Sequence, residues 1–466
     1  MAVHIYHYNV SSEQRYFLGT GHHDLYELVF INGNIVAHTP AGIASFVSTA
    51  AKAFFIDPQT HIFQHPTFHL KTNVSDTEKG EPPRYEFKPS IERLAREHLG
   101  NPFSGVIDND RPLSHSDFFT DADNINEALI RKVCEKSVNF QQKILEESLD
   151  EEAKEFLSGS RAFQPKFIIA PYFYLSPNQY KQWLKITCCC YEKTKEIVAD
   201  KQVYLFLVIS KEALEKDLLD ITQQISEISP DGIVLWVDDH REENLSSSEI
   251  GRYIELLKRL RNATDSIFNS HGGYLSILLC HAEVGARLNG VGHCINYGES
   301  RPVVPVGGGI PMARFYFPSI HSRLRFGDAA SIVLAQKWLS SAQLYLDNIC
   351  RCAQCGELIQ NKSTINEAFL AYGESNPVTF RRRSGTIVRL EYPTNEAKQA
   401  AARHYLFNKA KEFSNIQNTP FSELLQNLED AYRTIAPYSG DDLVAHLRRW
   451  QRTLQEQIVN MSTFSS

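Results

Sequence analysis

The stretch Gly232-Ile-Val-Leu-Trp-Val-Asp-Asp-His240 decides the fold of this chain of 466 residues. It opens with an unbroken apolar run and closes with three polar residues. A strand of an antiparallel sheet commonly alternates polar and apolar residues, whereas a strand of a parallel sheet is buried on both faces and is apolar throughout. The stretch therefore predicts a buried parallel strand over Gly232 to Asp239 with a polar carboxyl end.

Similar runs recur through the first 300 residues, and most of them precede an amphipathic stretch, so a strand is followed by a helix. The predicted strands are Tyr26 to Ile31, Lys52 to Asp57, Ser104 to Asp108, Lys166 to Phe173, Gln202 to Ser210, Gly232 to Asp239, Tyr274 to His281 and Gly292 to Tyr297. Ser-Pro-Asn-Gln at 176 to 179 and Ser-Ser-Ser-Glu at 246 to 249 are credible helix starts. Eight strands with crossovers favour a (β/α)8 barrel over an open doubly wound sheet, which commonly carries a glycine-rich turn after its first strand.

Polar side chains follow most of these predicted strands. Because the carboxyl ends of barrel strands meet at one face, we expect the chemistry there. The residues expected to bind a substrate at this face are Asp57, Asp108, His240, His281, Glu283, Asn296 and Arg301. Carboxylates and imidazoles in one cup can bind a purine edge or move protons. The alternative is structural, because Asp and Asn are common helix caps after strands.

A glycine run, Gly307 to Gly309, lies between Pro305 and Pro311 after the last predicted strand. Consecutive glycines let backbone N–H groups approach a phosphate, and barrels often bind phosphate near their last two strands. Gly308 is therefore added to the expected substrate-binding residues. The run is not a Walker loop, because no Gly-Lys-Ser/Thr follows it. A tight loop between two prolines is the other interpretation.

The spacing Cys350-x-Cys352-x-x-Cys355 brings three thiolates to one point. Zn²⁺ binds thiolate and imidazole ligands in closed four-coordinate sites, so one histidine would complete the set. His404, in a run of helical character, is the expected fourth ligand, and His446 is the reserve. Three cysteines of an amphipathic segment without a metal are the alternative. We expect Zn²⁺ here, with residues 1–340 forming the barrel and an N-terminal extension and residues 341–466 a zinc-knuckle and helical region.

Composition and charge limit the partners. The net charge of −7 gives no overall basic field, so nucleic-acid contact would need local patches, of which Arg381 to Arg383 and Arg448-Arg449 are visible. No apolar run approaches membrane-spanning length, and the first residues lack a secretory signal, so we expect no membrane partner. The cysteines number nine, and Cys188 to Cys190 are adjacent, which suits a reducing cytoplasm better than disulfides. This triplet is expected on a helix.

The expected barrel, the Cys350 to Cys355 knuckle and the downstream helix with His404 together resemble the tRNA-guanine transglycosylase family. The resemblance implies a zinc-bearing (β/α)8 barrel that exchanges a guanine base in RNA for a deazapurine, with relatives that act on DNA. It implies an aspartate that attacks the anomeric carbon and a second aspartate that handles the proton. The partners expected are tRNA or DNA and a purine or deazapurine base; a homodimer is a further expectation.

The segment Gly290 to Arg301 occupies the place of the family's last barrel strand. Ile295 and Asn296 stand where the family has its nucleophilic aspartate, and the signature Asp-Ser-Gly-Gly-Phe is absent. The expected catalytic carboxylates are therefore Asp238 or Asp239, with Glu299 as the competing nucleophile.

Three classes of function remain after this comparison. The leading hypothesis is glycosyl transfer on a nucleic-acid base, with Arg301 orienting an anion. The second is a non-catalytic relative that holds nucleic acid or a protein partner. The third is an unrelated barrel enzyme, such as a hydrolase or lyase of small molecules, with an incidental zinc knuckle.

Overall fold

The computed structural model describes residues 2–8, 22–50, 53–75, 82–121, 124–149, 163–295, 298–304, 312–381 and 387–462. At its centre is a sheet of parallel strands that curls into a nearly closed barrel. Its eight principal strands are β1 (Val3–Tyr8), β2 (Leu28–Asn32), β3 (Phe54–Asp57), β4 (Ile168–Ile169), β5 (Val203–Ile209), β6 (Gly232–Val237), β7 (Ile267–Asn269) and β8 (Gly290–His293).

Strand pairing follows chain order around the barrel. β8 returns to β1, with Val3 opposite Gly290. Between β3 and β4 the closure rests on a backbone hydrogen bond from Lys166 N to Phe54 O at 2.8 Å. Tyr174–Leu175 adds a short parallel pairing with the end of β5. The α/β class and a nearly closed barrel of eight parallel strands, both expected from the sequence, are confirmed.

Two of the predicted strands are wrong, and two real strands were missed. The runs at 104–108 and 274–281 lie in helices, Phe103–Asn109 and Tyr274–Leu278. A short apolar run fits a buried helix as well as a strand, and only tertiary context separates them. β1 was missed because it alternates histidine and tyrosine with aliphatic residues, and β7 because it has three residues. The last predicted strand starts two residues earlier than expected, at Gly290.

Aromatic rings fill the barrel interior. Phe30 of β2 stacks on Phe55 of β3 with ring centroids 4.9 Å apart, and Phe167 stacks on Tyr204 at 4.0 Å. β8 presents Gly292 to this interior, where an added Cβ would lie 2.1 Å from Ser270 O. Glycine at this position therefore lets β8 lie against the segment that follows β7.

Helices surround the barrel and follow it in the chain. Their bounds are Gly33–His38, Pro40–Ala50, Pro89–Arg93, Phe103–Asn109, Glu127–Glu147, Tyr180–Ile197, Lys211–Lys216, Leu218–Ile228, Ser247–Arg261, Tyr274–Leu278, Phe326–Ala335, Ala342–Asn348, Ala353–Asn361, Ile365–Leu370, Asn395–Asn418, Phe421–Ser439 and Asp441–Ser462. The Ser246 hydroxyl accepts a hydrogen bond from Glu249 N, which confirms the predicted helix start. Cys188 to Cys190 lie on the Tyr180–Ile197 helix, as expected.

The described residues also form three antiparallel hairpins: Lys71–Asn73 with Tyr85–Phe87, Arg314–Phe317 with Ser322–Arg325, and Ser375–Arg381 with Ile387–Pro393. The long Asn395–Asn418 helix lies against β1, where His4 stacks on Phe413 at 4.9 Å. None of the described helices combines the length and the apolar character that crossing a membrane requires.

Candidate active site and metal centre

The three cysteines of the knuckle and His404 converge. Their ligand atoms all lie within 4.8 Å of one another, and among the described residues no other group of three or more His, Cys, Asp or Glu side chains was found to do so. His404 Nδ1 is 3.3 Å from Cys352 Sγ and 3.4 Å from Cys355 Sγ. Hydrogen bonds from Cys352 and Cys355 hold the pKa of the Cys350 thiol well below its ordinary value. The donor set and its compactness fit a tetrahedral metal ion of the zinc type.

The backbone orients the imidazole for this role. His404 Nε2 lies 2.7 Å from Tyr316 O, a carbonyl that can only accept, so Nε2 carries the proton. Nδ1 faces the sulfur atoms and is the nitrogen that a metal ion would bind. Such an outer hydrogen bond is the usual way in which proteins fix the tautomer of a metal-binding histidine. Burial lowers the pKa of His404, but the charge of Cys352 and hydrogen bonds from Cys350 and Cys352 raise it to about 10, so the metal ion would displace a proton from Nδ1.

The local fold explains the long interval between Cys355 and His404. The hairpin Ser375–Arg381 and Ile387–Pro393 lies between them and returns the chain before the Asn395–Asn418 helix begins. His446 is not part of the cluster, since its Nε2 lies 2.9 Å from Ile320 O and its ring packs on Trp450. The prediction of His446 as the reserve fourth ligand is therefore wrong for this group.

A second polar cluster lies at the carboxyl end of the barrel, around Asp57. Asp57 is the last residue of β3 and only 1 % exposed. Its Oδ1 accepts hydrogen bonds from Tyr172 OH at 2.7 Å and from Gln59 N at 2.8 Å. Burial raises the pKa of Asp57 to about 7, although these hydrogen bonds and the charge of Arg301 oppose the shift. Asp57 is therefore a carboxyl group that can hold or release a proton near neutral pH.

Flat rings surround this carboxyl group. The His61 ring stacks on Tyr172 at 5.1 Å and meets the edge of Trp236 at 5.4 Å. His271 lies 4.5 Å from Trp236, at 78° to it, and the same distance from His7. These rings come from β1, β6 and the segments after β3, β4 and β7, so only closure of the barrel brings them together.

Several imidazole nitrogens of this cluster have no hydrogen-bond partner among the described residues: His61 Nδ1, His65 Nε2 and His271 Nε2. Burial lowers the pKa of His65 to about 4 and that of His271 to about 3, and it moves that of His61 well below its ordinary value. The rings are therefore neutral, and each offers one donor and one acceptor. They are not close enough to one another to form a metal group of the kind made by the cysteines.

The adjacent carboxylates Asp238 and Asp239 have different surroundings. Asp238 follows β6, and its two oxygens accept hydrogen bonds from Val303 N at 2.8 Å and Tyr174 OH at 3.0 Å. Asp239 has a positive φ of 47° and an exposed side chain that pairs with Arg241 at 3.2 Å. Asp238 is thus held in a fixed orientation at the barrel mouth, whereas Asp239 points to the surface.

Glu299 belongs to a buried ion network. Its Oε1 lies 2.6 Å from Lys409 Nζ, whose side chain is fully buried. Lys409 also contacts Glu412 Oε2 at 3.0 Å and donates to Tyr316 OH at 2.8 Å. Burial raises the pKa of Glu299 to about 7, while the Lys409 charge opposes the shift. Because Tyr316 O also orients His404, this network joins the Cys3His cluster to the barrel mouth.

Other predicted substrate-binding residues lie elsewhere. Asp108 is on the Phe103–Asn109 helix, exposed and paired with Arg96 at 2.6 Å, and not at a strand end. His281 and Glu283 line a cleft with Ala2 and Asn289, which precede β1 and β8, so they lie at the amino ends of the strands. They were placed at the carboxyl end because the run at 274–281 was taken as a strand.

His240 is separated from the cluster around Asp57. It is buried against Tyr253, with ring centroids 4.5 Å apart, and it lines a surface cleft with Lys211 and Arg252. Arg301 lies near the cluster, since Trp236 Nε1 donates to Arg301 O at 3.0 Å and its charge acts on Asp57. Asn296 and Gly308 fall outside the described residues.

The sequence analysis missed most of the rings around Asp57. The pair His61 and His65, which follows Asp57 closely in the chain, was the available signal for one side. His271 follows a strand of three residues that no pattern revealed. Tyr172 was hidden within a predicted strand, and Lys409 within a helical run.

No protein-family model matches this sequence, and the comparison with curated proteins gives no match either.

Proposed function

We propose that the chain is a glycosyl-transferring enzyme that exchanges a purine or deazapurine base in a nucleic acid, at the cluster around Asp57. The observation that carries the proposal is a buried carboxyl group with a pKa of about 7 beneath flat, neutral rings. The family resemblance of the cysteine knuckle supplies the reaction class. The barrel supplies the site, since the carboxyl ends of parallel barrel strands are where such enzymes have their chemistry.

The ring cluster suits a flat heterocycle. Tyr172, Trp236 and His61 form one packed aromatic group at the carboxyl end of the barrel. Stacking on aromatic side chains is a general means of holding a base outside its helix. The free nitrogens of His65 and His271 offer hydrogen bonds to the edge of the base. Neutral imidazoles can serve a donor or an acceptor on that edge, whereas charged ones could only donate.

Asp57 is the proton-transfer group in this proposal. In the first half-reaction an Asp238 oxygen attacks the anomeric carbon, the glycosidic C–N bond breaks with its electrons on the base nitrogen, and Asp57 gives that nitrogen its proton. In the second half-reaction the incoming base nitrogen attacks the same carbon, the C–O bond to Asp238 breaks, and the proton of the incoming base passes to Asp57. A pKa near the working pH is what such a cycle requires.

Asp238 is the preferred nucleophile among the three expected carboxylates. Its hydrogen bonds from Val303 N and Tyr174 OH fix its orientation without neutralising it. Glu299 is paired with the buried Lys409, and Asp239 is exposed. A fixed, unpaired carboxylate is the better attacking group, because an ion pair would have to be broken first.

Within this proposal the barrel is a (β/α)8 barrel of the transglycosylase type, and Cys350, Cys352, Cys355 and His404 hold Zn²⁺. A closed Cys3His site is structural, so the ion would stabilise the knuckle against the Asn395–Asn418 helix. The residues Tyr316 and Lys409 would then transmit the helix position to Glu299 beside the site.

The test is base exchange itself. Purified full-length protein is incubated with radiolabelled guanine or a labelled deazapurine and with tRNA or double-stranded DNA, and the label in nucleic acid is counted. Asp238→Asn should lower the rate by several orders of magnitude, and Asp57→Asn by about 10²–10⁴-fold. Asp239→Asn is the matched control, because it removes a neighbouring charge that points to the surface.

The outcomes separate the alternatives. Exchange that survives within about tenfold in both Asp57→Asn and Asp238→Asn would refute the assignment of the site. Binding of nucleic acid without any exchange in the unmodified protein would favour the non-catalytic relative.

A further inference from the structure

One hairpin carries an arginine cluster whose charges are not balanced. In the hairpin Arg314–Phe317 with Ser322–Arg325, Arg314 stands directly opposite Arg325. Arg323 lies two residues before Arg325, so it shares the same face of the hairpin. Like charges directly opposite each other on paired strands destabilise the pairing.

The cluster lies beside the carboxyl end of β8. Arg323 Nη2 donates to Ile295 O at 2.7 Å and its Nη1 to Cys294 O at 3.3 Å. A cleft of about 290 Å³ opens here, lined by Arg241, Glu243, Gly298, Glu299, Ser300, Arg314 and Arg323. The arginines therefore border the side of the barrel that carries the proposed active site.

The nearby carboxylates offset the charge of the hairpin only in part. Glu243 lines the same cleft and its charge acts on Arg314, but its Oε1 accepts a hydrogen bond from Ser322 Oγ at 3.3 Å. Glu299 is engaged by Lys409 at 2.6 Å, and Asp239 by Arg241 at 3.2 Å. Among the described residues, neither Arg314 nor Arg325 has a carboxylate within salt-bridge distance. Partial burial of the guanidinium group lowers the pKa of Arg314, and the charges of Arg323, Arg325 and Arg241 lower it further, while the charge of Glu243 opposes the shift.

We propose that Arg314 and Arg325 bind successive phosphates of a nucleic-acid strand next to the barrel mouth, with the charges of Arg323 and Arg241 adding to the positive field there. This rests on the proposed function, because it supplies the contact that holds a strand while one of its bases enters the site. A guanidinium group matches the geometry of a phosphate with two parallel hydrogen bonds, and a phosphate between two arginines removes their repulsion. An opposed pair with a third arginine on the diagonal forms a strip, which fits a chain of phosphates better than one small anion.

This surface differs from the two patches visible in the sequence. Arg449 Nη2 donates to Glu243 O, and Arg448 lies 3.6 Å from Glu429 and over the Tyr432 ring. Those two arginines serve the packing of the C-terminal helices. The side chains of Arg381 to Arg383 fall outside the described residues.

The experiment measures binding of a fluorescent single-stranded oligonucleotide, as RNA and as DNA, by anisotropy across a series of KCl concentrations with the full-length protein. Arg314→Gln/Arg325→Gln should weaken binding by about tenfold or more at 0.1 M salt. It should also reduce the slope of log K against log salt by about 1.4, the value for two phosphate contacts on a single strand. The control Arg131→Gln/Lys132→Gln makes the same change in net charge on the exposed face of the Glu127–Glu147 helix, and it should bind like the wild type.

Because Arg314 and Arg325 are exposed and repel each other, the double variant should retain a denaturation midpoint at least equal to that of the wild type. Unchanged affinity and salt slope in that folded variant, or no oligonucleotide binding by the wild type, would overturn the proposal. Inorganic phosphate alone that binds as tightly as the oligonucleotide would assign the site to a small anion and overturn it as well. Loss of oligonucleotide binding in the variant, with no base exchange by the wild type, would leave the phosphate site standing and remove the proposed function.

Discussion

Replacement of Lys409 by methionine tests the buried ion network that joins the Cys3His cluster to the barrel mouth. The Lys409 ammonium is wholly buried and lies 2.6 Å from Glu299 and 3.0 Å from Glu412. Methionine keeps much of the volume and removes the charge, which leaves two carboxyl groups facing each other without water. Breaking a buried ion pair by removing one partner costs about 3–5 kcal/mol, so Lys409→Met should lose about that much unfolding free energy at pH 8.

The loss should depend on pH in a definite direction. The pKa of Glu299 is already raised to about 7, mainly by burial, and the Lys409 charge opposes this shift, so its removal raises the pKa further. A carboxyl group with a higher pKa in the folded state binds more protons there than in the unfolded chain, so stability falls as the pH rises from about 5 through 7. Between pH 5 and 7 this loss affects the wild type as well, so Glu299 separates the two proteins mainly above pH 7, where it ionises in the wild type but not in the variant. Loss of the Lys409 charge also raises the pKa of Glu412, which that charge helps to hold below its ordinary value. Lys409→Met should therefore be closest to the wild type near pH 5 and furthest from it at pH 8.

The assay is urea denaturation followed by tryptophan fluorescence at pH 5, 6, 7 and 8. Lys411→Met is the matched control, since Lys411 is exposed on the same helix and its loss should change stability by less than about 0.5 kcal/mol. The double variant Glu299→Gln/Lys409→Met should regain part of the loss, because one of the two opposed carboxylates is gone. A Lys409→Met protein within about 1 kcal/mol of the wild type at pH 8, with no dependence on pH, would refute the reasoning.

Three further predictions follow from the metal centre, the active site and the barrel. Purified protein should contain one zinc per chain by elemental analysis. Cys352→Ser should lose most of this zinc and destabilise the C-terminal region first, whereas His446→Ala should keep it. Loss of zinc in His446→Ala would instead place the fourth ligand at His446. Base release should fall about tenfold per pH unit above about 7, where Asp57 loses the proton that it donates, and a rate that rises with pH there would contradict its role as the acid. Gly292→Ala should destabilise the barrel by about 1–3 kcal/mol in denaturation experiments, because the added Cβ would lie 2.1 Å from a backbone oxygen. Gly251→Ala is the control: its added Cβ would have no atom within 4 Å, so the change should be neutral or stabilise the helix by about 1 kcal/mol.

The sequence alone determined the features that depend on neighbouring residues. An unbroken apolar run such as Gly232–Val237 has to be buried, and its β-branched and aromatic residues favour a strand of a parallel sheet over a buried helix. The Ser246 to Glu249 capping box and the spacing of Cys350, Cys352 and Cys355 are also local, because their geometry is set by a few consecutive residues. These features were predicted correctly for that reason.

Tertiary structure decided what depends on residues far apart in the chain. The strand Ile267–Asn269 is too short to show a period, and it exists because β6 and β8 hydrogen-bond to both of its edges. His404 rather than His446 joins the cysteines because the carbonyl of Tyr316 orients it. The raised pKa of Asp57 likewise comes from burial that only the folded chain provides, and it persists although Tyr172, 115 positions away, donates a hydrogen bond that opposes it. The pattern of apolar residues along the chain determines which residues must be buried. Only closure of the barrel determines which of them come into contact, and the proposed chemistry depends on those contacts.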